Sequence, residues 1–340
     1  MTPYGSRVLY MVSDAVDEML ITARSMKKMY GPHLALDDVS LDIPHGAVGI
    51  LGPNGAGKST FFKCLLGLIK TTSGSGKVLG HDIRTEGELI RSKIGYMPEY
   101  DSLDPGLTAI DQVRYSGELL GMNPDAATQR AHEVLQYVGL KDQRYRKIET
   151  FSTGMKQAAK LACALIHDPE ILICDEPTNG LDQRAREFML QTLRKTVIEG
   201  GRSVLMSSHV MDDVETVCDS IVMIHKGKIV VHRSIDDMVK QVEKEIEISV
   251  WGGASQMESE LSSRGLSVRR MGRNMRVTKV DEDTYTEILS SAAKAGVQVR
   301  KMTEYEPDLE DIFLLIMDKL GEEVRETGEL MTSDHTGEGL

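Results

Sequence analysis

The chain has 340 residues, 41% hydrophobic and 27% charged, and Lys+Arg 40 against Asp+Glu 52 gives a formal net charge of −12. That usage is ordinary for globular proteins, which excludes wholesale disorder and collagen-like repeats. The acidic balance also argues against a protein whose main task is to neutralise phosphate backbones, so no nucleic-acid partner is expected. Cys64, Cys163, Cys174 and Cys218 form no C-x-x-C pair, which disfavours a zinc knuckle or redox motif and leaves four small buried hydrophobes. No run of about 18 apolar residues occurs, so the expectation is a reduced intracellular chain without a span of its own.

Residues 1–20 mix apolar residues with Asp and Glu and read as a flexible leader, not a secretory signal. MLITARSMKKMY and HLALDDVSLDI alternate and carry β-branched residues, predicting two strands turned at Gly31-Pro32. AVGILG reads as a buried strand, followed by a glycine-rich turn and a helix from about Lys58. Over 107–168 apolar residues recur three and four apart, which predicts a helical subdomain broken at Gly121-Met122-Asn123-Pro124. ILIC is then a short strand, REFMLQTLRKTVIEG a helix, SVLMSSH a strand, and DSIVMIHKGKIVVH a hairpin at Lys226-Gly227. Strands alternating with helices imply an α/β domain with a largely parallel sheet over 21–240. From 244 to 320 the order becomes β-α-β-β-α-β, as in a small ferredoxin-like or ACT-like α+β sandwich, with an amphipathic helix over Pro307–Leu320. Residues 321–340, rich in Glu and Gly, read as a disordered acidic tail.

The strongest chemical signal is GPNGAGKST, which fits G-x-x-x-x-G-K-[ST] between a strand and a helix. Glycines let backbone N–H groups converge on phosphate oxygens where a side chain would collide, and the following helix points its positive end at the same anion. Gly52, Pro53, Asn54, Gly55, Ala56, Gly57, Lys58, Ser59 and Thr60 are therefore candidates to hold a nucleotide. Lys58 would reach the β- and γ-phosphates and Ser59 would offer its hydroxyl to Mg²⁺. Such a fold needs an acid at the end of a neighbouring strand, and ILICDEP supplies it. Asp175 would bind Mg²⁺ through water, and Glu176 would orient or deprotonate the attacking water.

Together with FSTGMKQ at 151–157, NGLD at 179–182 and SSH at 207–209, these motifs resemble, over roughly residues 20–235, the ATP-binding subunit of an ABC transporter. The resemblance implies a P-loop NTPase of ABC type with a helical insertion, ATP and Mg²⁺ as cofactors, and ATP hydrolysis. It implies that Ser152 and Gly154 cap the γ-phosphate held by another subunit, and that Asp182 crosses the dimer interface. His209 would bridge the γ-phosphate and Glu176. Tyr30 stands where the family stacks an aromatic on adenine, worth about 1–3 kcal/mol by analogy with base–aromatic stacking.

Two positions depart from the family pattern. Glu99 replaces the usual Gln after IGYMP; the acid can still bind Mg²⁺ but adds negative charge near the γ-phosphate. Thr153 replaces the first glycine of the signature, with Met155 in place of its Gln, and a β-branched residue restricts the backbone there. The expected partners are a second ABC cassette, as homodimer or heterodimer, and an integral membrane permease. That places the chain on the inner face of the cell membrane as the motor of an exporter. The small C-terminal unit and EPDLEDIFLLIM resemble the appendage of two-component exporters, its simpler role being to stabilise a dimer without a ligand. The competing class is a soluble ABC ATPase acting on ribosomes or nucleic acid, disfavoured by the single cassette, the short insertion and the net charge.

Overall fold

The computed structural model describes residues 19–241, 244–281, 283–305 and 311–312. The acidic tail, nearly all of the leader and all but two residues of the helix expected over Pro307–Leu320 lie outside the described residues. The chain divides into two compact units. The first runs to His209 and adds Thr216–Cys218 and Val222–His232; the second takes Val210–Glu215, Asp219–Ile221 and the chain from Arg233 on.

In the first unit, β1 (Ile21–Tyr30) and β2 (His33–Ile43) pair antiparallel, Tyr30 facing His33. Alternation buries Ile21 and Ala23, and an irregularity in the register between Ala23 and Met26, with Ser25 at φ +43°, shifts the pattern so that Met26 is buried as well. After β3 (Ala47–Leu51), α1 (Lys58–Leu65) carries the fully buried pair Phe61 and Phe62. β4 (Ser73–Val78) and β5 (His81–Asp82) extend the first sheet to the order β2-β1-β4-β5.

α2 (Gly87–Lys93) leads into β6 (Ile94–Met97). The helical segment follows with α3 (Ala109–Leu119), α4 (Pro124–Tyr137) and α5 (Thr153–Leu165). Each start is chemically marked: the side chains of Thr108, Asn123 and Ser152 accept N–H groups of Asp111, Asp125 and Met155, and Pro124 opens α4. Small residues on the inner faces, Ala109, Ala127, Ala131 and Ala159, let the three helices pack closely.

β7 (Ile171–Asp175), α6 (Gln183–Ile198), β8 (Ser203–Ser208), α7 (Met211–Val217), β9 (Ser220–His225) and β10 (Lys228–Ser234) follow. They complete a six-stranded sheet of order β10-β9-β3-β8-β7-β6. β3, β8, β7 and β6 are mutually parallel, and their apolar runs are continuous because both faces are covered. Register pairs Leu51 with Ser208, Asp175 with Ser207 and Met97 with Cys174. The segments after all four strands therefore leave from one edge, the edge where open α/β sheets bind ligands.

In the second unit, α8 (Ile235–Gln241) precedes β11 (Glu245–Trp251), α9 (Ala254–Ser263), β12 (Val268–Met271), β13 (Asn274–Thr278), α10 (Thr284–Ala295) and β14 (Gln298–Tyr305). The antiparallel sheet runs β12-β13-β11-β14, so each β-α-β pair is split by a strand of the other. Ile246, Ile248, Met257, Leu261, Met275, Val277 and Ile288 form its core. No helix among the described residues is long and apolar enough to cross a membrane. The four cysteines are free, and burial pushes the Cys64 and Cys163 thiols up to about 11.

Gly74 and Gly80 share a left-handed φ near +80°, but a Cβ at Gly74 would lie 2.2 Å from the Ser25 carbonyl whereas one at Gly80 meets nothing within 4 Å. Gly80→Ala should cost about 1–2 kcal/mol from the left-handed backbone alone. Gly74→Ala should cost more, and comparison of the two denaturant midpoints measures the clash.

Candidate functional site

The turn between β3 and α1 is shaped by glycines whose roles differ. A Cβ on Gly52 would lie 2.2 Å from the Ile224 carbonyl, and one on Gly57, at φ +114°, 2.7 Å from the Ala35 carbonyl. These two let backbone pack against backbone. Gly55, at φ +81°, would carry its Cβ into open space, so it keeps the cleft clear. The β9–β10 turn braces the loop from behind: Gly227 N–H donates to the Ala56 carbonyl at 2.9 Å and Asp37 N–H to the Gly227 carbonyl at 2.8 Å. No side chain caps α1 and no acid stands in its first turn, so its positive end faces the loop unneutralised.

Lys58 opens α1 and bends back, its Nζ donating to the Gly52 carbonyl at 2.7 Å. The same ammonium lies 3.1 Å from Glu176 Oε1, with both side chains only 6% exposed. Glu176 follows β7 in a left-handed conformation, φ +50°, a strain of roughly 1–3 kcal/mol that the surroundings must hold. Ser207 of β8 is the clamp. Its Oγ accepts the Glu176 N–H at 2.9 Å and donates to Asp175 Oδ1 at 2.6 Å. His209, one residue beyond β8, places Nδ1 2.8 Å from Glu176 Oε2. Glu176 Oε1 is buried and meets no hydrogen-bond donor in good geometry, so it keeps acceptor capacity for a donor entering from the cleft.

That cleft measures about 290 Å³ and is lined by Tyr30, His33, the whole 53–60 loop, Glu99 and Glu176. Tyr30, Lys58, Ser59, Glu99 and Glu176 thus meet in one place, Asp175 lies behind Glu176 in the same turn, and His209 joins through Glu176. Tyr30 is 45% exposed at the strand end, with the Lys28 ammonium 4.8 Å from its ring centroid. Ser152, Gly154 and Asp182 do not line this cleft. They neighbour one another instead: a Cβ on Gly154 would touch Ala185 Cβ at 3.0 Å, and Asp182 Oδ1 accepts the Ala185 N–H at 2.9 Å as the cap of α6. Thr153 is accommodated as the first helical residue of α5, and a Cβ on Gly180 would sit 3.4 Å from its methyl.

Two contributors were not singled out from the sequence. Ser207 stands inside the SSH motif, where its strand pairing with Asp175 could have marked it. Lys160 gave no such signal. Buried in α5 at 5% exposure, it donates to the carbonyls of Pro98, Glu99 and Tyr100 at 2.8, 3.0 and 3.3 Å. Burial pushes its pKa down, while the charges of Asp101, Glu99 and Asp175 oppose that shift. One turn earlier Lys156 meets Asp101 at 2.9 Å and holds that carboxyl below its usual range. Asn179 Nδ2 reaches Glu99 Oε1 at 3.5 Å.

Among the described residues no cluster of three His, Cys, Asp or Glu could hold a metal by itself. The donors at the cleft are nonetheless hard oxygens: the Ser59 hydroxyl, the Glu99 carboxylate and, one layer back, Asp175. That set suits Mg²⁺, which keeps several waters and leans on substrate phosphates instead of an all-protein cage.

Residues 36–179 match the family model described as ABC transporter. The linearmycin resistance ATP-binding protein LnrL of Bacillus subtilis (strain 168) is 34% identical over 312 residues, covering 87% of this chain and 97% of that protein. The daunorubicin/doxorubicin resistance ATP-binding protein DrrA of Streptomyces peucetius is 29% identical over 303 residues, 87% of this chain and 92% of that protein. Among solved structures, the dimeric ATP-binding cassette MJ0796 in a post-hydrolysis state with ADP and Pi aligns at TM-score 0.59 and 27% identity, covering 63% of this chain and 98% of that one. A phosphate loop, a strand-end acid pair and a histidine meeting at one sheet edge agree with these likenesses: the chain is an ATPase that belongs to the ABC transporter ATP-binding proteins.

Proposed function

We propose that the chain hydrolyses ATP with Mg²⁺ to drive export through a separate membrane permease, to which it binds at the inner face of the membrane. Residues 21–240 form the cassette, 107–168 its helical subdomain and 244–320 an accessory unit. The observation that carries this reading is the position of Glu176, whose carboxylate touches Lys58 on one side and His209 on the other at the wall of the phosphate-loop cleft.

The chemistry follows from those contacts. A triphosphate entering the cleft offers Lys58 stronger, multiply charged partners, so the ammonium leaves Glu176 for the β- and γ-phosphates. Glu176 Oε1 is then available to accept a proton from the water that attacks the γ-phosphorus. His209 holds the other carboxylate oxygen in place and faces the γ-phosphate, while Tyr30 stacks on adenine. Ser59, Glu99 and, through water, Asp175 would hold Mg²⁺, which neutralises charge developing on the phosphates. Ser152 and Gly154 at the start of α5, and Asp182 at the start of α6, sit apart from the cleft, as expected of groups that complete the site of a second cassette in a head-to-tail dimer. The names of the relatives, linearmycin resistance and daunorubicin/doxorubicin resistance proteins among them, favour export over action on ribosomes or nucleic acid.

Glu176→Gln removes the base but keeps the shape. ATP turnover should fall at least about 100-fold, within the range for loss of a general base, and ATP with Mg²⁺ should trap a dimer visible by light scattering. A protein that stays monomeric alone and with a related cassette would overturn the dimeric site.

Lys160→Met strips one buried and two partly buried carbonyls of a charged donor, a loss of about 1–3 kcal/mol in stability. Because Lys160 positions the segment that carries Glu99, kcat should drop about tenfold, equivalent to ~1.4 kcal/mol in the barrier. Nucleotide affinity measured by equilibrium titration should stay close to that of the parent, and Lys160→Arg should recover part of the rate.

Glu99→Gln removes one negative charge beside the cleft. Mg²⁺-dependent turnover should persist, and ATP binding measured in excess EDTA should tighten.

A further inference from the structure

The second unit holds a cleft of about 360 Å³ unrelated to the nucleotide chemistry, lined by Trp251, Gly252, Ala254, Arg270 and Arg273 among others. Trp251 is the only tryptophan of the chain and stands 60% exposed at the end of β11. A single exposed aromatic needs no explanation. What marks this one is its company. The guanidinium of Arg273, from the β12–β13 turn, lies 5.4 Å from the ring centroid, and that of Arg300, on β14, lies 5.6 Å from it.

Three other arginines of this unit meet carboxylates. Arg276 pairs with Asp311 at 3.2 Å and Glu247 at 3.6 Å, Arg264 with Glu260 at 3.1 Å. Arg270, on the wall of the cleft, meets Ser255 at 2.9 Å and Glu258 at 3.4 Å. Arg273 and Arg300 have no carboxylate partner among the described residues, and only the indole offsets their charge. In a chain with twelve more acids than bases, two such guanidiniums on one ring form a local excess of positive charge. Each guanidinium presents a planar fork that fits a carboxylate or phosphate. The indole edge and face offer a flat apolar surface beside it. The volume is that of a small-molecule site.

We propose that this cleft binds a small aromatic anion, with its ring against Trp251 and its carboxylate or phosphate on Arg273, while Arg300, outside the lining but 5.6 Å from the indole centroid, adds positive charge beside it. The accessory unit is then a ligand-binding module and not only a dimer-stabilising appendage.

The single tryptophan makes the test direct, because its fluorescence reports on this cleft alone. The full-length protein, without nucleotide, is titrated with phenyl phosphate, with phenol and with inorganic phosphate. Phenyl phosphate should give a saturable change with an affinity at least about tenfold tighter than either half-molecule, a factor of ten corresponding to ~1.4 kcal/mol. Arg273→Ala and Arg300→Ala should each weaken it several-fold, with folding checked by thermal melts. Rising salt should weaken it in the parent protein, which tests the ionic contact without any substitution. A non-saturating response, equal affinity for phenol, or an affinity indifferent to salt would overturn the proposal.

Discussion

Leu51, Ser208, Asp175 and Met97 end four neighbouring parallel strands, or stand next to their ends, and the register that pairs Leu51 with Ser208 and Asp175 with Ser207 decides which groups can meet a phosphate. Parallel strands leave their C-terminal ends on one side, so four separate loops converge without any loop having to travel far. Because successive strand residues point to opposite faces, a slip of one residue would turn Ser207 away from Asp175. The continuous burial of AVGIL, ILICD and SVLMSS fixes that register more firmly than any polar contact at the edge could. The core thus sets the geometry of the catalysis, and the loop residues act within it.

At that edge the protein accepts arrangements that would be costly elsewhere. Lys58 and Glu176 form an ion pair that is nearly buried, and such a pair gains little net stability because both charges lose their water. Glu176 also sits at a positive φ. Both features make sense if the carboxylate must be held at one point and its cationic partner must be able to leave. Ser207, linking Asp175 and Glu176 by one hydroxyl, holds the two acids in fixed relation.

Much of this was legible from residue pattern alone, for identifiable reasons. Apolar runs of four to six residues marked β3, β7 and β8, and the glycine spacing marked the phosphate loop, because only glycine tolerates the contacts at Gly52 and Gly57. β4 was not legible. SGSGKV has almost no strand propensity, and its glycines are there for close approach: Gly74 presses on the Ser25 carbonyl and Gly76 lies against Ile83 and Met26. Lys160 was hidden for a different reason. In a helix, a lysine is normally read as a solvated side chain, and only the tertiary fold brings three carbonyls to its ammonium. The partners of Trp251 come from two other strands or their turns, so the cluster has no signature in sequence. Asp182 and Ser152 each cap a helix, and capping explains their hydrogen bonds without specifying what lies beyond them.

α5 ties these observations together. Its first turn carries Ser152 and Gly154; Lys156 and Lys160, four residues apart and so on one face, grip the segment 98–101. Gln157 donates to the Asn179 carbonyl in the turn that follows Glu176. From Ser152 to Lys160 is about 12 Å of helix at 1.5 Å per residue. A helix of that length moves as a rod, and its attachments to both Glu99 and the Glu176 turn are short and buried or half-buried. These contacts attach the helix that begins at Ser152 to the acid end of this chain's own cleft. Lys160 is the stiffest of these attachments, because releasing it would leave an ammonium buried without partners and three carbonyls without a donor.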